Sequence, residues 1–383
     1  MKEERSSPMK DVIVLGRFPP PIDGQAMLTR RLADLLETSR SVRRVDVSFG
    51  DVEHVPEDVQ FSMDKVRHYA GLRSRVRHAL RELPEAPVLW ASISPAPLGH
   101  LRDVVTLQPA FQPRQRVFGI VHWGNFDRIF RQHTTRLTAK RLVGRLRGFV
   151  FNNAFLADKC SEWIPSERTF LMPNTIDDAV ICDDSAVATK RASRRGREHM
   201  RLLFLSNMIP SKGYLDVLEA VGVLEGKGVR VHADFIGRWS SDEDHVSFNR
   251  SVDKMGLGEI VTHHGGLSDR ERIRQFYLDA DVFVLPSYYP TEAQPVTIIE
   301  ALNAGTPIVT TRHAGIPYTV DGDENALFVP PRDPFAIADA VENLANVDTW
   351  DRFSTMARRR FERTFSPDAV RQGWLSLLDS TRG

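Results

Sequence analysis

At 383 residues, with 42% apolar and 26% charged side chains, the chain is long enough for two domains that each bury a core. A net charge of +1 excludes a global field that selects nucleic acid, and the two cysteines, Cys160 and Cys182, exclude a disulfide framework or a zinc cluster. MKEERSSPMK lacks the apolar core of a signal peptide, and no run approaches the roughly 18 apolar residues of a membrane span, so a cytoplasmic protein with a loose tail before Met9 is expected.

Val12 to Gly16 reads as a strand, Arg17 to Gly24 as a proline-stiffened loop, and Gln25 to Leu36 as a helix. Gly16 and Gly24 alone mark this turn, short of the three spaced glycines of a dinucleotide fingerprint, which disfavours a dehydrogenase. Arg67 to Glu82 is a basic helix, with Arg67, Arg73, Arg75, Arg77 and Arg81 against one glutamate. Arg128 to Arg147 carries seven cations and no acid, with Leu137, Leu142, Val143 and Leu146 interleaved. Basic amphipathic helices dock on anionic membrane surfaces, whereas neither stretch has the aromatics of a single-stranded nucleic-acid binder. Val88 to Ala91 and Val117 to Val121 read as strands, and His122 just past the second is placed for a site at the carboxyl ends of a sheet. Phe149 to Asn152 is a further strand, and residues 179–200, polar and without apolar period, read as a linker.

Leu202 to Leu205 opens the second half, followed by the loop Ser206 to Gly213, which contains Asn207 and Lys212. Val231 to Ile236 is a strand ending at Gly237-Arg238, Ile260 to Gly265 another, and Asp269 to Asp279 a helix. Asp242-Glu243-Asp244 and Asp321-Gly322-Asp323 read as turns, not as metal sites. Val282 to Leu285 is a short buried strand stopped by Pro286 and Pro290, and Pro295 sits where a first helical residue belongs. Ile298, Ile299 and Leu302 share one face of that helix, Gly305 ends it, and Pro307 to Thr310 is the next strand, completing a βαβ unit. Seven residues separate Glu292, in the loop, from Glu300, about a turn and a half into the helix and off its apolar face. Both carboxylates are expected to look into the crevice at the strand ends, beside helix-start amides that favour phosphate. A diphosphate flanked by polyhydroxyl groups would use all of them. Helices over about Ala336 to Ala345, Thr349 to Thr364 and Asp368 to Leu378 close the chain.

Glu292-x7-Glu300, followed by Ala301, Gly305, Thr306 and Pro307, resembles the E-x7-E signature of retaining GT-B glycosyltransferases of family 4. Ala293-Gln294-Pro295, in place of a frequent Gly-Phe-Gly, resembles enzymes of bacterial surface-polysaccharide assembly. The resemblance implies an α/β GT-B fold, two Rossmann-like domains facing across a cleft. Its parts would be an acceptor domain over 1–178, the linker over 179–200, a nucleotide-sugar domain over 201–365 and a helix over 366–383 returning to the first domain. Phe365, Trp374, Leu375 and Leu378 would form the packing side of that helix.

The implied activity moves a sugar from a UDP- or GDP-sugar to a sugar or lipid-linked acceptor hydroxyl, without cofactor or metal, in the cytoplasm or on the inner face of the membrane. Glu292, His122 and Lys212 form the implied catalytic set. Glu292 would hold donor-sugar hydroxyls, His122 would orient the sugar, and Lys212 would neutralise the diphosphate. Gly24, Asn207, Arg238, Gln294, Pro295, Val296 and Glu300 complete the donor site, with Glu300 on the ribose. Three further places depart from the family pattern. Asn207 stands where the family has an arginine, leaving Arg238 as the candidate replacement; Asp23-Gly24 replaces a glycine pair; and Thr175 replaces a glycine in Met172 to Asp177, the segment that closes the first domain. A nucleotide-sugar 2-epimerase and a non-catalytic nucleotide-sugar-binding scaffold are the alternatives on the same fold.

Overall fold

Strands buried on both faces read as short unbroken apolar runs, and helices must cover them. Val12 to Leu15, Val88 to Trp90 and Val282 to Leu285 are such runs, all buried. The computed structural model describes residues 11–20, 24–48 and 63–380, so the expected N-terminal tail and Asp23 lie outside the described residues. The chain divides into two compact units, one of Met1–Met172 with Arg371–Gly383, the other of Pro173–Val370.

The first unit runs β1 (Asp11–Gly16), α1 (Gly24–Glu37), β2 (Ser41–Asp46), α2 (Met63–Glu82), β3 (Val88–Trp90), α3 (Pro97–Thr106), β4 (Val117–Val121), α4 (Arg128–Arg131), α5 (Arg136–Arg145), β5 (Gly148–Phe151), α6 (Ala154–Cys160) and β6 (Thr169–Leu171). Its strands form a parallel sheet in the order β2-β1-β3-β4-β5-β6. The order reverses beside β1. Right-handed crossovers therefore put α1 on one face and α2 to α6 on the other. The packing agrees: α2 contacts α3, α3 contacts α4, and α4 contacts α5. The second basic stretch is thus two helices, α4 and α5, broken at Gln132, whose extended backbone ends α4.

The second unit runs α7 (Asp184–Arg194), β7 (Met200–Leu205), α8 (Tyr214–Gly226), β8 (Val231–Ile236), α9 (Asp242–Met255), β9 (Val261–His263), α10 (Arg270–Asp279), β10 (Val282–Leu285), α11 (Val296–Asn303), β11 (Ile308–Thr311), β12 (Ala326–Val329), α12 (Pro334–Asn343) and α13 (Val347–Thr364). Its sheet is also parallel, in the order β12-β11-β10-β7-β8-β9. The final helix, α14 (Pro367–Ser380), begins in this unit and continues into the first.

Several expectations give way here. Residues 179–200 are not a bare linker: Val180, Cys182 and Val187 join the core of the second unit, and α7 is capped by the Asp183 side chain, which accepts from the Ala186 amide at 2.7 Å. The second unit also begins earlier than residue 201. Ile176 is in its core, and the Thr175 hydroxyl donates to the Phe365 carbonyl at 2.7 Å. Phe365 likewise belongs to that core, and Leu377 rather than Leu375 joins the buried side of α14. Asp242-Glu243-Asp244 forms the first turn of α9, because Ser241 caps it by accepting from the Asp244 amide.

Candidate active site

In open parallel sheets ligands bind outside the carboxyl ends of the strands, where the strand order reverses. In the second unit that reversal falls between β7 and β10. The loop after β7 carries Lys212 and the loop after β10 carries Glu292, and the two side chains meet there, with Lys212 Nζ 2.6 Å from Glu292 Oε2. The same oxygen accepts from the Ser287 hydroxyl at 2.8 Å, and the ammonium lies 4.6 Å from the centre of the Tyr289 ring. The lysine side chain is 13% exposed and the glutamate 8%.

Backbone contacts hold the pair in place. The Tyr288 amide donates to the Ser211 carbonyl at 2.8 Å, joining the two loops. Gly213 turns the chain into α8 with φ of +82°, and a Cβ there would lie 2.8 Å from the Pro286 carbonyl oxygen. From the β11 side, His313 Nε2 donates to the Tyr289 carbonyl at 2.9 Å, and the Gly315 amide donates to the Glu292 carbonyl at 3.4 Å.

The helix after Glu292 starts one residue later than expected. Pro295, with ψ of 114°, is the cap residue, and Val296 is the first helical position. Ahead of it, buried Gln294 accepts from the Asn174 amide at 2.7 Å through its carbonyl oxygen, so that atom already has a protein partner. Glu300 differs more from expectation. It sits on the buried side of α11, 2% exposed, because α10 supplies partners for both carboxylate oxygens. The Arg270 guanidinium donates to one and the Tyr277 hydroxyl donates to the other at 3.0 Å. Arg270 and Tyr277 are seven residues apart, two helical turns, and so share a face.

Asn207 and Arg238 lie on neighbouring strand ends. Leu205 pairs with Ile236 and Met208 with Trp239, which sets Asn207 opposite Arg238 in the same register, both exposed. Gly24 and His122 belong to the first unit. Gly24 begins α1, and a Cβ added there would meet nothing within 4 Å. Both ring nitrogens of His122 are buried without a hydrogen-bond partner, and burial pulls the imidazole down to about 4, so it is neutral at physiological pH.

Sequence reasoning missed Arg270, Tyr277, Ser287 and Tyr289. Ser287 and Tyr289 stand in the loop already singled out, whereas the partnership of α10 with Glu300 is visible only once β10 and β11 are paired. Among the described residues, no group of three or more His, Cys, Asp or Glu side chains is disposed to hold a metal ion.

Residues 188–360 match the family described as glycosyl transferases group 1. Over 200 residues the chain is 26% identical to a protein of Salmonella typhimurium named as a colanic acid biosynthesis glycosyltransferase, WcaL, covering 50% of this chain and 48% of that one. The chain thus spans about half the length of that relative. Among solved structures it resembles Anabaena Alr3699/HepE in complex with UDP, with a TM-score of 0.72 at 16% identity over 97% of this chain and 100% of that one. It also resembles sucrose-phosphate synthase of Thermosynechococcus elongatus, with a TM-score of 0.71 at 19% identity over 97% and 98% of the two chains. These likenesses carry the fold, two Rossmann-like domains of the GT-B type, and the family match covers residues 188–360.

Proposed function

We propose that the chain is a retaining glycosyltransferase of family 4 that moves a sugar from a nucleotide sugar to an acceptor hydroxyl. The carrying observation is the Lys212–Glu292 pair at the strand-order reversal, just ahead of the start of α11. Relatives supply the substrate class: the HepE structure holds UDP, and WcaL is named for colanic acid biosynthesis. A UDP- or GDP-sugar donor and a sugar or lipid-linked acceptor of cell-surface polysaccharide or glycolipid assembly fit both names. A lipid-carried acceptor would place the reaction at the inner face of the membrane.

In this reading the anomeric carbon–oxygen bond to the diphosphate breaks, and the acceptor oxygen bonds to the same face of the sugar. The acceptor proton passes to an oxygen of the leaving phosphate. Lys212, paired with Glu292, would turn to the phosphate oxygens, together with the helix-start amides of Val296 and Thr297 that follow Pro295, Gly24, and Arg238 in place of the arginine that Asn207 replaces. Charge developing on the leaving group is what such donors stabilise, by roughly 3 kcal/mol for a well-placed one. Glu292, freed from Lys212, would accept from donor-sugar hydroxyls. His122 would orient the sugar as a neutral hydrogen-bonding group. Glu300, held by Arg270 and Tyr277, keeps lone pairs for ribose hydroxyls. Gln294 would contribute its amide group.

A thermal-shift screen against UDP-, GDP- and ADP-sugars, with EDTA present, tests the donor. One nucleotide series is expected to stabilise the protein. Glu300→Gln should weaken that donor by more than about tenfold, roughly 1.4 kcal/mol, and Lys212→Ala should lower turnover. Proton NMR of the glycoside formed should give the donor's anomeric configuration. Unchanged kinetics in both variants would remove the site assignment, and an inverted product would remove the retaining mechanism.

A further inference from the structure

We infer that the face of the first unit built by α2, α3 and α5 is a docking surface for an anionic lipid bilayer. The two basic stretches are 47 residues apart between Arg81 and Arg128 in sequence, yet the crossover hand puts their helices on one side of the sheet. They flank a common turn, Gln108–Ala110. Arg77 of α2 donates to the Pro109 carbonyl at 3.5 Å, and Arg145 of α5 donates to the Gln108 carbonyl at 3.5 Å and to the Phe111 carbonyl.

Helical spacing gives each element an outward stripe. On α5, Leu137, Lys140 and Arg141 are exposed while Ala139, Leu142 and Val143 are buried beneath them. On α2, Arg77 and Arg81 are exposed above Val76, Ala79 and Leu80. Between the two helices, α3 exposes Leu98 and Val105, seven residues apart on one line, at 66% and 67%. Leu137 is equally bare, at 66%. The described carboxylates of these elements and of the loop before α4 are already paired: Asp103 with Arg102, Asp127 with Arg131 and Lys159, and Glu82 with Arg43 and His78. A positive rim around bare aliphatic side chains matches anionic headgroups over acyl chains. The exposed apolar groups are aliphatic, which suits a bilayer better than unstacked bases. Among the described residues no helix is long and apolar enough to cross a membrane, so the contact is with the surface.

This surface deepens the proposal of a lipid-carried acceptor, and its test needs no turnover. The full chain is sedimented with vesicles of equimolar phosphatidylcholine and phosphatidylglycerol, and with phosphatidylcholine alone, at low and high salt. Binding to the anionic vesicles only, released in large part by salt, is expected. Charge reversal on α5 (Arg136→Glu, Lys140→Glu and Arg141→Glu together) should lower the partition by more than about tenfold, as should reversal of Arg75, Arg77 and Arg81 on α2. Reversal of Arg230, Arg250 and Lys254, exposed cations of the second unit, should change it less than about twofold. Leu98→Ser with Val105→Ser should abolish the portion that resists salt. No binding to anionic vesicles at low salt overturns the inference, as does equal loss in the second-unit control. Binding to a single-stranded oligonucleotide in place of vesicles, lost in the α5 variant, also overturns it.

Discussion

His122 has two buried ring nitrogens and no protein partner for either, a state a protein keeps only at a cost in stability. The cost is tied to pH. The imidazole falls from an ordinary value of 6.5 to about 4 on folding, so below 6.5 the unfolded chain takes up a proton that the native one refuses. Stability from this residue is therefore intact above 6.5 and lost as pH falls toward 4, by at most about 3 kcal/mol. In His122→Gln the melting temperature should fall less steeply from pH 7 to pH 4.5 than in the parent. Parallel profiles would mean that His122 is not held neutral. At this scale the sequence revealed positions better than partners. Glu292, Lys212 and His122 could be singled out because the resemblance to the E-x7-E family marks those positions in loops at strand ends. That Lys212 would neutralise Glu292 could not, because the two are 80 residues apart and meet only through sheet pairing.

At the scale of elements, the turn into α8 is where one atom decides most. Gly213 has a backbone conformation that side chains rarely adopt, and Pro286 stands against it. Gly213→Ala should cost about 2 kcal/mol or more, from strain and from the clash with a backbone carbonyl. Because Lys212 immediately precedes it, donor KM should also rise. Gly226→Ala, at the end of the same helix with open space around it, serves as the control and should be neutral or stabilising. Equal melting temperatures for the two variants would sink this account of the turn. The helix least legible in the sequence, α7, shows why hydropathy failed there. Its buried residues are Val187, Lys190 and Arg194, a face with one apolar member. Lys190 donates to the Tyr277 carbonyl at 2.8 Å and to the Thr306 hydroxyl, and burial pulls its ammonium down to about 7. Arg194 lies 3.6 Å from buried Asp281 and donates to the Ala345 carbonyl. A face made of cations has no apolar period, and the Asp183 cap that starts the helix emerges only in the fold.

For the whole molecule, alternation of strand and helix gave the parallel α/β class from sequence, while strand order was out of reach. Order depends on pairing between distant segments, such as Val282 beside Leu202. The reversal beside β7 gathers Lys212, Glu292, the start of α11, Glu300, Asn207 and Arg238 within residues 173–370, whereas Gly24 and His122 lie in the other unit. The second unit also has a continuous core of its own, from Ile176 to Phe365. A fragment of residues 173–370 should therefore unfold cooperatively and bind the nucleoside diphosphate of the donor within about tenfold of the full chain's affinity. Turnover should be absent if the roles proposed for Gly24 and His122 hold. Calorimetric titration decides between the outcomes. A fragment that melts cooperatively but binds no nucleotide would mean that residues 173–370 do not suffice for the proposed donor site.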